Sequence, residues 1–298
     1  MPDREGRPDD HQALGSADEQ IAARIAPKGR GLRGMVLLLG ASFGLIAIIL
    51  GGRAFMPVKE MKLAPLVPFE VAKVDAPPFA MAAAPMVSLP AATFTMGSSE
   101  KGESPAHSVT LPAFQLDPDE VTVADYRACV EANRCPADAL ASLPGCNYGD
   151  RSRDRHPMSC VDWNEAEIYC RWLGRRLPSE EEWEYAARGA SGRTYPWGNA
   201  PPDETRVCFG RDATCPVGER PSGATPDGVR DLAGNVWEWT SSPYCPYDKP
   251  GCESPQRTVR GGSYTAKEAS KVRASLRSGH IVTLREQYLG FRCAKDGP

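Results

Sequence analysis

Between Arg33 and Arg53 the chain runs GMVLLLGASFGLIAIILGG, nineteen residues without a charge. As a helix that run spans about 28 Å, close to the hydrocarbon thickness of a bilayer. Arg24, Lys28, Arg30 and Arg33 precede it. The excess of positive charge on this side predicts a cytoplasmic N-terminus and export of everything after Arg53. A cleaved signal peptide would have a shorter apolar region and a small-x-small cleavage site. The sequence after Leu50, GGRAFMP, is a poor site, which favours an uncleaved signal anchor.

The pattern divides the chain in four. Residues 1–33 carry charge runs such as DRE and DD and read as a disordered cytoplasmic tail. Residues 34–52 are the transmembrane anchor, and residues 53–87, rich in Pro and Ala, are a semi-extended linker. Residues 88–298 are the exported domain. Within it TFTMGS (93–98) and HSVTLPAFQL (107–116) alternate as strands do. Thr122 caps a helix through ADYRACVEAN, and Asp162 caps a second, WNEAEIYCRWL, that ends at Gly174. Ser179 and Glu182 form a capping box for a third, EEEWEYAAR, that ends at Gly189. Residues 257–264, 271–278 and 288–295 read as late strands, and 189–256 as mostly loops and turns. The class is α+β with much irregular backbone, in keeping with 28 Gly and 28 Pro.

A formal net charge of −3 gives no electrostatic case for a nucleic-acid partner. His11, His107, His156 and His280 are scattered, so neither a zinc nor a non-haem iron set is indicated. The ten cysteines all lie beyond the anchor, from Cys129 to Cys293, without a CxxC pair. That is the distribution of disulfides formed in an oxidising compartment, and it agrees with export.

The strings FTMGS, DEVTVADY, CVDWNEAEIYCRWLGRRLPSEEEWEYAARG, YPWG, TCPVG, DLAGNVWEW, VRGGSY and LGFRC follow one another between Thr93 and Cys293. As a set they resemble the formylglycine-generating-enzyme, or sulfatase-modifying-factor, family. The resemblance implies a C-type-lectin-like, loop-rich α+β fold and a disulfide between Cys170 and Cys293. Closing so long a loop stabilises by roughly 4–5 kcal/mol in the chain-entropy model. Sequence proximity then pairs Cys129 with Cys135, Cys146 with Cys160, Cys208 with Cys215 and Cys245 with Cys252, although proximity alone does not fix connectivity. The resemblance also implies calcium held by side-chain oxygens of Asp231 and Glu238 and by carbonyls of Gly234 and Val236, a hard cation on oxygen ligands. The competing reading is that Asp231 and Glu238 pair with nearby arginines.

Family members that make formylglycine hold copper between two thiolates, which soft Cu(I) selects. The first follows the Ser of RGGS by three residues and the second lies five further on. Here that Ser is Ser263, and the two positions are Ala266 and Lys271. Lys267 stands where the family has a His. No cysteine lies between Cys252 and Cys293 to replace the pair, so no copper is expected. This argues against catalysis and predicts a binding or accessory module of the cell envelope, on the periplasmic side of an inner or plasma membrane. Its groove would be lined by Trp237, Ser263, Lys267, Lys271 and Arg277, and its partner would be a peptide, a protein or a glycan. Two enzyme readings stay open: an oxidoreductase of this family acting on protein cysteine or a related substrate, and an oxygenase of another kind.

Overall fold

Reciprocal capping sets where the helices begin. In the computed structural model, which describes residues 85–298 apart from 138, 139, 141, 142 and 250, they are α1 (Val123–Glu131), α2 (Trp163–Trp172) and α3 (Glu180–Arg188). Thr122, Asp162 and Ser179 each accept the N3 backbone N–H, while Asp125, Glu165 and Glu182 reach back to the cap N–H. Two orphan donors are satisfied at each start. The expected caps are therefore the observed ones. The tail, the anchor and the linker up to residue 84 lie outside the described residues. No helix among the described residues is long and apolar enough to cross a membrane.

Among the described residues nine short strands follow one another as β1 (Val87–Leu89), β2 (Ala92–Met96), β3 (His107–Leu111), β4 (Phe114–Leu116), β5 (Trp237–Pro243), β6 (Gln256–Arg260), β7 (Arg277–Ile281), β8 (Leu289–Gly290) and β9 (Ala294–Asp296). They make an antiparallel sheet β1-β4-β9, a hairpin β2-β3 and a four-stranded sheet β7-β6-β5-β8 in which β8 runs parallel to β5.

Four expectations need correction. The strand read over 288–295 is two short strands, β8 and β9, which join different sheets. The strand read over 107–116 is two strands, because Pro112 interrupts the run and the halves join different sheets. The strand read over 271–278 is instead a 3-10 turn, Ala269–Val272, with β7 starting only at Arg277. Within the stretch read as mostly loops and turns, β5 is one of the two inner strands of its sheet. Glu238 and Thr240 are fully buried, so β5 lacks the alternation of a half-exposed strand.

Two cores result. One gathers α1, α2, Trp239 and Phe291, with Tyr126 stacked on Tyr169 at 5.7 Å. The other packs Trp183, Ala186 and Ala187 of α3 against Phe94, Leu116 and Leu232. The five disulfides pair as read from the sequence: Cys129–Cys135, Cys146–Cys160, Cys170–Cys293, Cys208–Cys215 and Cys245–Cys252. No cysteine is free.

Candidate functional site

Beyond β6 the chain turns sharply through Gly261 and Gly262, both at positive φ. A Cβ on Gly262 would lie 2.1 Å from the carbonyl oxygen of Lys271, so glycine lets the two backbones touch. The turn delivers Ser263, buried, with its Oγ 2.8 Å from Thr265 Oγ1. Ala266 accepts a hydrogen bond from Gly210 N at 2.6 Å and donates to Ser263 O at 3.1 Å. Its methyl packs in a cluster with Tyr195, Val207, Ala233 and Val272, flanked by Trp197 and Phe209. Tyr195 and Trp197 stack with ring centres 5.1 Å apart and planes within 5°. Lys271, in the 3-10 turn, and Lys267 are exposed. Hydrocarbon thus surrounds one of the two positions discussed above, and an ammonium in water occupies the other.

On the other side of this turn Tyr264 and Tyr288 pack against the Cys208–Cys215 bridge. Burial pushes both phenols up, and the charge of Glu286 adds to it. Sequence reading missed the aromatic residues Tyr195, Trp197, Phe209, Tyr264 and Tyr288. The YPWG and VRGGSY strings contained three of them, but nothing in their spacing said that the chain folds them round one turn. Trp237 lies partly buried against the larger core, its backbone N–H on Tyr288 O at 2.8 Å. Arg277 starts β7 and turns to Glu180, in the wall of a cavity to which Ser263 does not belong.

The segment Asp231–Glu238 begins as a turn with positive φ at Asp231, Gly234 and Asn235. Asp231 accepts from Gly218 N at 2.6 Å. Glu238 is committed elsewhere: Trp183 Nε1 and Arg292 Nε donate to one oxygen at 2.8 and 2.7 Å, and Arg292 Nη2 to the other at 2.7 Å. Glu120, missed from sequence, joins them and accepts from Asn235 Nδ2 at 2.5 Å and Val236 N at 3.2 Å. Three buried carboxylates therefore surround the buried Arg292 guanidinium. Burial raises Asp231 to about 6, and it raises Glu120 well above its ordinary value, with the charges of Asp231 and Glu238 adding to it. This surplus of negative charge fits a cation beside Asp231, at a turn that is itself buried and tied by backbone bonds to Cys208 and Gly261. The Glu238 oxygens, already holding three donors, fit the arginine-paired reading. Among the described residues no group of three or more His, Cys, Asp or Glu side chains converges as a metal cage.

Short capped helices, small sheets and long ordered loops pinned by disulfides define an α+β domain. The profile of the sulfatase-modifying factor enzyme 1-like domain (FGE-sulfatase) matches residues 72–297, and the chain belongs to that family. It is 33% identical to inactive C-alpha-formylglycine-generating enzyme 2 of Mus musculus, over 71% of this chain and 85% of that one. It is 34% identical to formylglycine-generating enzyme of Streptomyces coelicolor, over 70% and 88%. Among solved structures it resembles PvdO from Pseudomonas aeruginosa, with a TM-score of 0.60 and 28% identity over 71% of this chain and 94% of that one.

Proposed function

We propose that the domain is a non-catalytic binding module, held on the outer side of a membrane by the 34–52 anchor. A formylglycine generator needs two thiolates beside the RGGS turn. One observation carries the reading: Ala266 and Lys271 occupy those positions, and all ten cysteines are consumed in bridges. Soft Cu(I) has no thiolate to bind there. The Mus musculus relative named as inactive supports the same direction. Fold membership alone does not confer the chemistry, which belongs to the site.

The binding surface is the turn itself. Trp197 and Phe209 offer partly exposed aromatic faces, and Lys267 and Lys271 set a positive rim beside them. Aromatic anchors within a charged rim suit a protein or peptide partner, and the lysines favour an acidic one. Calcium, when bound, is held by Asp231 with the carbonyls of Gly234 and Val236, while Glu238 contributes charge rather than a ligand. It steadies the turn that leads into β5.

Three measurements test this. Titration of the full chain with Cu(I) is expected to give no stoichiometric binding, and a cysteine-bearing client peptide is expected to remain unoxidised. Conversion of that peptide to the aldehyde would overturn the reading. Cross-linking and pull-down from the envelope fraction should recover an acidic partner that the doubly substituted Lys267→Glu, Lys271→Glu protein no longer retains. Undiminished recovery would remove the turn as the binding surface.

A further inference from the structure

A chain of alternating charges runs through the interior behind α3. Arg188 pairs with Glu184 at 2.6 Å, Glu184 with Arg260, Arg260 with Glu180 at 3.3 Å, and Glu180 with Arg277 at 2.6 Å. Three guanidiniums alternate with two carboxylates, so the chain holds one positive charge too many. Its inner side chains are nearly dry, with 0% exposure at Arg260 and Glu184 and 3% at Glu180 and Arg277, while Arg188 at one end is 13% exposed. An uncompensated buried charge is costly. One end, Arg188, also spends its charge on the carbonyls of Thr95 and Gly97. The other end, Arg277, opens on a cavity.

That half-open cavity has a volume of about 260 Å³ and is lined by Glu180, Glu181, Ser242, Cys245, Cys252 and Arg277, with Lys249 also on its wall. It lies just below the range of about 300–1,000 Å³ typical of small-molecule pockets. Arg277 is rigidly presented there. Its guanidinium carbon lies 4.0 Å from the Tyr247 ring centre and 4.7 Å from that of Tyr244. Nε and Nη2 donate to Glu180 at 2.6 and 2.7 Å, and Nη1 donates to Cys245 O at 2.8 Å. These bonds use three of the five N–H groups of a guanidinium and leave one on each terminal nitrogen. Glu180 cannot serve a ligand, because Tyr247, Thr258, Arg260 and Arg277 already fill both its oxygens. Glu181 can, since its one hydrogen bond is from Ser242 Oγ at 3.3 Å.

We propose that this cavity is a binding site for a small organic carboxylate, ideally one that also carries an ammonium group. The carboxylate takes the remaining fork of Arg277, a planar match that a guanidinium makes better than a point charge does. It completes the charge alternation at the open end of the chain. Lys249 draws the anion in, and Glu181 receives the ammonium. The site is separate from the Ser263 turn and does not depend on its function.

The test is calorimetric titration of the full chain with propionate, β-alanine and inorganic phosphate. Saturable binding of the two carboxylates is expected, with β-alanine at least threefold tighter than propionate. Lys249→Glu should weaken both at least fivefold, and Glu181→Gln should abolish the preference for β-alanine. Neither substitution touches the Glu180–Arg277 pair, so folding is retained, and an unchanged far-ultraviolet spectrum verifies it. Absence of saturable carboxylate binding, phosphate binding tighter than both, or indifference to Lys249→Glu would each overturn the proposal.

Discussion

Arg292 grips Glu238 side-on through two parallel hydrogen bonds of 2.7 Å, and neither side chain touches water. The same guanidinium donates to the carbonyls of Asp117, Pro118 and Arg230, so a terminal strand segment and two loops hang on one residue. Truncating one member of a buried pair leaves an uncompensated charge and costs about 3–5 kcal/mol. The two halves are not equivalent here. Arg292→Leu abandons three carboxylates at once, whereas Glu238→Gln leaves Arg292 beside Glu120 and Asp231. Chemical denaturation should show Arg292→Leu as the more damaging change, by at least about 1 kcal/mol.

Asp231 makes stability depend on pH in a defined direction. Burial raises its carboxyl from 3.8 to about 6, so the folded chain holds that proton more tightly than the unfolded one. Its contribution is full below about pH 4 and is lost as pH rises to about 6, a change of roughly 3 kcal/mol at most. Asp117 shifts likewise, while burial lowers His156 and His280 and opposes the trend, so the informative quantity is the difference between Asp231→Asn and the unsubstituted chain. With a chelator present, Asn should become relatively stabilising as pH climbs from 4 to 7. With millimolar calcium the sign should reverse at pH 7. A melting difference indifferent to calcium would eliminate the Asp231 site.

The bridges should differ in accessibility to a dithiol. Cys245 and Cys252 are both partly exposed, whereas Cys170 and Cys293 are fully buried. Mass mapping after brief reduction under native conditions should find Cys245 and Cys252 alkylated first and Cys170 and Cys293 last. Removing the Cys170–Cys293 bridge, which spans 123 residues, should cost roughly 4–5 kcal/mol.

Gly262→Ala should be disproportionately harmful for the exchange of one hydrogen atom for a methyl group. The residue sits at φ 74° and its new methyl would meet Lys271 O. Strain of about 1–3 kcal/mol is expected from the backbone alone, with the contact adding to it. The readout is a lowered melting temperature together with weaker partner recovery, because the Ser263 turn must shift.

Local chemistry was readable in the sequence where the deciding partners are neighbours. Thr122 with Asp125, Asp162 with Glu165 and Ser179 with Glu182 announce their helices within three residues. Cys245 and Cys252 lie seven residues apart, so proximity suggests the pair that the structure shows. Long-range satisfaction was not readable. Glu238 belongs to Arg292, and Arg277 to Glu180, 97 positions away. A buried ion pair gives no periodic signal, so β5 reads as loop in the sequence and the Glu180–Arg277 pairing leaves no mark there. Aromatic residues from four loops meet near Ser263 only because backbone bonds such as Gly210 to Ala266 draw those loops together.

The Cys170–Cys293 bridge also imposes an order on biogenesis. As the polypeptide emerges residue by residue, Cys170 must wait while Cys208, Cys215, Cys245 and Cys252 pass it, each a wrong mate within reach. Short-span pairs can seal at once, and α2 can tuck the waiting sulfur into its core before its true mate appears. Productive maturation is therefore a race between early packing of one helix and mispairing, and an isomerase that unpicks errors would raise the yield of correctly linked molecules.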